Sequence, residues 1–227
     1  FFIFSFLFFM VIPQYETLVN RIKTCVKCDL CHTRTNAVPG EGSLQSKIMF
    51  VGEAPGARED EQGLPFVGAA GTVLSDMLKL IGLNRQQVYI ANIVKCRPPN
   101  NRDPSTDEIN QCWKYLEEQI NLIDPKLIVT LGRHSFGNFF PGELISHARG
   151  KPRKWNDRII FPVYHPAATL HNPKLKPVVQ EDFRTMKSLI NDSQLGLETT
   201  GDDVTNKQLA FDFDSNQLPN KQVNDGI

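Results

Sequence analysis

Four short apolar runs recur along the chain, at residues 48–51, 88–94, 127–131 and 159–164, and the gaps between them carry helical patterns. Uninterrupted apolar runs of this length read as strands buried on both faces. Helices are expected over residues 72–83, 105–123 and 133–140, with a last one near 178–191. Strands alternating with helices predict βαβ units, right-handed crossovers and a parallel sheet. The expected fold is therefore α/β, a three-layer α/β/α sandwich around a four-stranded parallel sheet, in a single domain over residues 13–193. In such a sheet, ligands bind at the carboxyl ends of the strands.

Three strand-end loops then become the candidate site, and all three are unusual. The first, Gly52 to Gly71, is crowded with glycine and proline and carries four acidic residues. Glycine allows close approach of backbone to a ligand, and proline fixes turns. The acidic residues exclude a phosphate cradle of the nucleotide-binding type. The second loop, 95–102, follows Asn92, an amide inside an apolar strand that must find partners or read a ligand. The third is His165-Pro-Ala-Ala-Thr-Leu-His-Asn-Pro173.

The cysteines are five, an odd number with uneven spacing in a chain long enough to bury a full core. That pattern favours metal or cluster ligation in a reducing compartment over a disulfide framework. Cys25-Val-Lys-Cys28 is one pair. Cys96 opens the second loop, and Cys112 lies on the helix begun by Ser105, whose spacing to Glu108 forms a capping box. Two thiols from one knuckle and two distant ones can close a four-thiolate site for zinc or for a [4Fe–4S] cluster. Cys31 is a fifth thiol and reads as a bystander.

The two ends differ from the middle. Residues 1–12 are apolar apart from Ser5, with no basic segment and no cleavage signal, too short to span a bilayer. They read as an apolar leader: either residues 1–9 lie upstream of a translation start at Met10, or the stretch is a real but short membrane-associating leader. Residues 14–23 suggest a helix with Tyr15, Leu18, Val19 and Ile22 on one face. Residues 194–227 read as a disordered acidic tail. The last 32 residues hold six acidic and two basic side chains, so the rest of the chain has 23 basic against 19 acidic, a mild lean towards a polyanion.

Taken together, Gly52-Glu-Ala-Pro-Gly56, Gly63-Leu-Pro-Phe-Val-Gly68, Asn92-Ile-Val-Lys-Cys96, Cys-Arg-Pro-Pro-x-Asn-Arg102, Leu131-Gly132 and Tyr164-His-Pro-Ala167 resemble the iron–sulfur-containing family four of the uracil-DNA glycosylase superfamily. The resemblance covers roughly residues 15–190. It implies a [4Fe–4S] cluster on Cys25, Cys28, Cys96 and Cys112, and hydrolytic removal of uracil from single- or double-stranded DNA, leaving an abasic site. It implies that Phe66 stacks on the flipped base, that Asn92 discriminates uracil, and that His165 donates to uracil O2. It also implies that Gly52, Glu53 and Ala54 line the uracil pocket. Ala54 stands where the best-known branch of the superfamily has a water-positioning aspartate, which leaves Glu53 and Glu59 as candidates for the water.

Further expectations concern partners. Lys151, Arg153 and Lys154, with Arg158, form a basic run suited to phosphates, and Leu170 suits a wedge into the gap left by a flipped base. Gln208-Leu-Ala-Phe-Asp-Phe213 resembles the short peptides that bind the sliding clamp. The protein is expected to be a monomer without membrane attachment, cytoplasmic and nucleoid-associated. The alternative is a non-enzymatic nucleic-acid-binding module stapled by a four-cysteine metal site; an electron carrier is a third class. Neither needs Phe66, Asn92 and His165 on strand-end positions.

Overall fold

The computed structural model describes residues 2–191. The candidate clamp peptide at 208–213 and the acidic tail lie outside the described residues.

Helix α1 (Phe2–Lys23) opens the chain and runs through Pro13, so the boundary read at residue 12 is not a change of secondary structure. From Tyr15 onward its inner face follows the expected spacing, with Leu18 and Ile22 buried. A short helix α2 (Leu30–Thr33) follows the Cys25–Cys28 knuckle.

The sheet is built on four parallel strands: β2 (Ile48–Gly52), β3 (Tyr89–Asn92), β4 (Leu127–Leu131) and β6 (Arg158–Val163). Their order is β3-β2-β4-β6, all parallel. Two short strands extend the expected four to six. β1 (Glu41–Gly42) pairs antiparallel with β3, and β5 (Arg153–Trp155) pairs antiparallel with β6. Neither has an apolar run to announce it. They are edge strands, where short length and charged residues guard an open hydrogen-bonding edge.

Residues of one strand alternate between two apolar layers. Met49 and Val51 pack with Leu18, Ile22, Leu116 and Ile120 on one face. Ile48 and Phe50 pack with Leu74, Leu78, Phe183 and Met186 on the other. Thus α1 and α5 (Thr106–Ile123) cover one face, and α4 (Ala69–Leu80) and α9 (Lys176–Asn191) cover the other. The three-layer α/β/α arrangement follows from this period-two alternation. α5 starts at the Ser105–Glu108 capping box, with both reciprocal bonds present.

The remaining helices sit at the carboxyl ends of the parallel strands. They are α3 (Ala57–Gln62), α6 (Arg133–Phe139), α7 (Ile145–Ala148) and α8 (Pro166–His171). Ser135 of α6 donates to the Val51 carbonyl at 2.6 Å and ties that end of the molecule to the central strand. Among the described residues, no helix is long and apolar enough to cross a membrane.

Candidate active site

The carboxyl ends of β2, β3, β4 and β6 open into one cleft of about 820 Å³. Gly52, Asn92, Gly132 and His165 stand at or just beyond these four ends. A Cβ at Gly52 would collide with Asn92 Oδ1 and reach the Phe66 ring at 2.7 Å. Glycine is therefore required there for the amide and the ring to meet over the strand end. A Cβ at Gly132, whose φ is 90°, would lie 2.9 Å from the Cβ of His165.

Phe66 is held in a left-handed backbone conformation, with φ 51°. A bulky residue there is strained and persists only where neighbours over-determine it. Three neighbours do so. Arg85 donates to the Phe66 carbonyl at 3.0 Å and to the Pro65 carbonyl at 2.7 Å, and is itself paired with Glu41 at 2.7 Å. Gly71 leaves room under the Phe66 carbonyl that a side chain would fill. Glu59 Oε1 accepts from the amides of Val67 and Gly68, at 2.9 and 2.8 Å.

Asn92 is 2% exposed, and its Oδ1 has no hydrogen-bond partner. An orphaned buried acceptor is costly, and at a strand end beside a cleft it marks a place for an incoming donor. His165 caps α8: its Nδ1 accepts from the Ala167 amide at 3.1 Å. Since that amide must donate, the ring proton sits on Nε2. Burial lowers the His165 pKa to about 4, against a smaller opposing pull from Glu59. His165 is thus a neutral ring with one N–H to offer. The Phe66 and His165 rings lie 5.8 Å apart and 29° from parallel. A flat heterocycle bearing an N–H and a neighbouring carbonyl matches an acceptor, a donor and an aromatic face gathered in this way.

The two carboxylates of the first loop differ. One oxygen of Glu59 is already bound to two loop amides, so Glu59 fastens the loop to the start of α4. Glu53 is partly buried and makes no such bond. Desolvation raises its pKa, partly offset by His134, while Asp103 pushes it further up. Glu53, Asp103 and His134 present ligand atoms within 4.8 Å of one another. Arg133 crosses this group, donating to Asp103 at 3.2 Å and to His134 at 2.9 Å. None of Asp103, Arg133, His134 or Arg85 stands out in the sequence, because their contacts join distant loops.

On the other side of β3, all five cysteines line one small cavity together with Arg34 and Lys95. Cys96 and Cys112 are buried. Burial raises the Cys112 thiol to about 11 and also raises Cys96, which Arg34 partly offsets by donating to its Sγ at 3.0 Å. Asp60, at 4% exposure, accepts from the amides of Thr35 and Asn36 and so binds the segment after the knuckle to α3.

The expected DNA contacts fall in two places. Leu170 is 48% exposed on α8, the helix that begins at His165 and lines the cleft. Lys151, Arg153 and Lys154 lie at or beside the edge strand β5 and are not part of the cleft wall. Arg153 is held by both oxygens of Glu143, at 2.7 and 2.8 Å, and Arg158 is paired with Asp124 and Asp157.

Residues 39–188 match the family model described as the Uracil DNA glycosylase superfamily. A type-4 uracil-DNA glycosylase of Sulfurisphaera tokodaii is 53% identical over 184 residues, covering 77% of this chain and 84% of that protein. Proteins of the same description from Saccharolobus solfataricus and Archaeoglobus fulgidus are 46% and 45% identical. These cover 81% and 79% of this chain, and 89% and 94% of their own lengths. With the strand-end cleft and its Asn92, Phe66 and His165, these likenesses establish that the chain belongs to the uracil-DNA glycosylase superfamily.

Proposed function

We propose that the protein is a monofunctional DNA repair glycosylase that hydrolyses the N-glycosidic bond of deoxyuridine and leaves an abasic site. The observation that carries this reading is the unpartnered Oδ1 of Asn92, buried at a strand end and facing the cleft. Uracil N3–H supplies the missing donor, and the amide of the same side chain donates to O4. Cytosine has an acceptor at N3 and a donor at C4, so it would leave both groups unpaired, at about 1–3 kcal/mol each, which is roughly 30-fold to 10⁴-fold in selectivity. The base must leave the stack to reach this depth, and Phe66 offers it a face. His165 donates Nε2–H to O2, where negative charge grows as the bond breaks. The sugar becomes oxocarbenium-like and is attacked by water. Glu53 has both carboxylate oxygens free of loop amides, whereas one oxygen of Glu59 is held by two, which favours Glu53 to orient that water.

The cysteine cavity fits a [4Fe–4S] cluster held by Cys25, Cys28, Cys96 and Cys112. A tetrahedral zinc site, with sulfur at about 2.3 Å, needs thiolates about 3.8 Å apart. Among the described residues, Glu53, Asp103 and His134 are the one group of three His, Cys, Asp or Glu ligand atoms within 4.8 Å of one another, so no three thiols are drawn that close. A cluster, when bound, supplies a rigid staple between the knuckle, the second loop and α5; the hydrolysis itself needs no electron transfer. The enzyme acts as a monomer on chromosomal DNA in the cytoplasm, with Leu170 entering the gap left by the flipped base.

The test is release of uracil from a deoxyuridine oligonucleotide, with the matching thymidine oligonucleotide as control. Wild type should release uracil and no thymine. Asn92→Ala should lose most of the activity; uracil kinetics unchanged in this variant would make Asn92 an ordinary core amide and remove the reading.

A further inference from the structure

Lys95 is 1% exposed, one of the largest fully buried side chains among the described residues. Its ammonium donates to the backbone carbonyl of Asn92 and to Gln119 Oε1, both at 2.6 Å. Both acceptors are neutral, and no carboxylate among the described residues lies within 4.0 Å of it. A buried ammonium without an anion is expensive. The cavity that Lys95 lines holds five thiols beside the side chains of Lys27 and Arg34: the Lys95 amide donates to Cys112 Sγ at 3.2 Å, and Cys96 is the next residue.

The polar chain continues outward. Gln119, fully buried, donates to the Pro39 carbonyl at 2.7 Å and to the Tyr89 hydroxyl at 3.0 Å. The Tyr89 hydroxyl meets that of Tyr15 on α1 at 2.7 Å. Lys95 is therefore the one link in this chain that touches both the strand end bearing Asn92 and the cysteine cavity.

We propose that Lys95 is a positioning residue that couples the two: its charge is balanced by the thiolates of the loaded cysteine cage, and its N–H groups fix the Asn92 carbonyl from behind. The proposal rests on the cluster reading above. Four thiolates on a [4Fe–4S] cluster carry net negative charge, which is the anion that the ammonium otherwise lacks. In return, the ammonium makes reduction of the cluster easier and holds the base-reading amide at the depth where uracil meets it.

Two substitutions separate the charge from the hydrogen bond. Lys95→Met removes both; Lys95→Gln removes the charge and keeps an N–H donor. Both are purified anaerobically with their cluster, and three quantities are read: iron content, reduction potential and single-turnover excision. Both variants should keep iron and show a potential more negative than wild type. Excision should fall about tenfold or more in Lys95→Met, which loses the hydrogen bonds to both Asn92 and Gln119, and less in Lys95→Gln. Potentials equal to wild type in both variants, equal excision losses in both, or collapse of soluble yield in both would overturn the proposal and leave Lys95 as core filling. Zinc without iron in the wild-type preparation would instead fail the cluster reading, and the Met–Gln difference in excision would still decide the tie to Asn92.

Discussion

His165 keeps a neutral imidazole because burial opposes the cation and the Ala167 amide occupies Nδ1. A neutral donor stabilises a developing uracil anion in the transition state more than the uncharged base in the ground state, which raises the chemical step. Removing one such donor costs about 10²–10³ in rate. His165→Ala should therefore lower single-turnover cleavage by about two orders of magnitude with DNA affinity and iron content unchanged; cleavage within a few-fold of wild type would remove the role. Glu53 titrates in the opposite sense. In the proposed role it must be ionised to orient water, and desolvation raises its pKa from the ordinary carboxylate value. As pH falls through that raised value, the carboxylate is protonated and the rate should drop. Since the His165 pKa is near 4, no second limb should appear near 6.5. Rate–pH profiles of wild type and Glu53→Gln check this: the acid limb should vanish in the variant, which is slower throughout.

At the scale of elements, the cysteine cavity joins pieces that are far apart in sequence. The knuckle after α1, the loop after β3 and the first half of α5 meet there. Arg34 adds a strut, donating to Cys96 Sγ and, at 2.9 Å, to the Lys23 carbonyl. Loss of a central ligand should unpin all three pieces. Cys96→Ser should reduce both iron per chain and folded yield, while Cys31→Ser, outside the proposed ligand set, should keep about four iron atoms per chain. Iron analysis of anaerobically purified protein reads both; loss of iron in Cys31→Ser would put that thiol in the cage. The first loop shows a similar division of labour. Its strain is concentrated at Phe66, and Arg85, Glu59 and Gly71 bear it from three sides.

Across the whole molecule, the described surface around the cleft mixes signs, with Arg102 and Arg133 against Glu108 and Asp103. Most of the arginines there are already paired, so binding to DNA rests on few free cations. Lys151 and Lys154 are exposed and unencumbered by any ion pair among the described residues, whereas Arg153 must first leave Glu143. If about three phosphates are engaged, affinity for duplex should fall about 40-fold between 50 and 200 mM salt. Binding isotherms across that range measure it. A flat response would exclude phosphate anchoring, and Lys151→Ala with Lys154→Ala should make the salt dependence shallower.

The apolar runs, the capping box and the amphipathic helices are local patterns, so the parallel strands and the helices that cover them were readable along the chain. So were Asn92, an amide in an apolar strand, and His165, fixed ahead of a proline. The edge strands were not, because stretches as short as Glu41-Gly42 and Arg153-Lys154-Trp155 become strands only when a neighbour offers its edge. Nor could the sequence separate Glu53 from Glu59: both follow the same strand, and what distinguishes them is that the amides of Val67 and Gly68, across a left-handed turn, fold back onto one and not the other. Nothing in the sequence marks Lys95 as buried; β3, α5 and the segment at Pro39 close around it only in the fold. Pattern along a chain determines which residues are apolar and at what period. Which polar atoms end up without water is decided only when distant segments pack, and in this protein those atoms make the site.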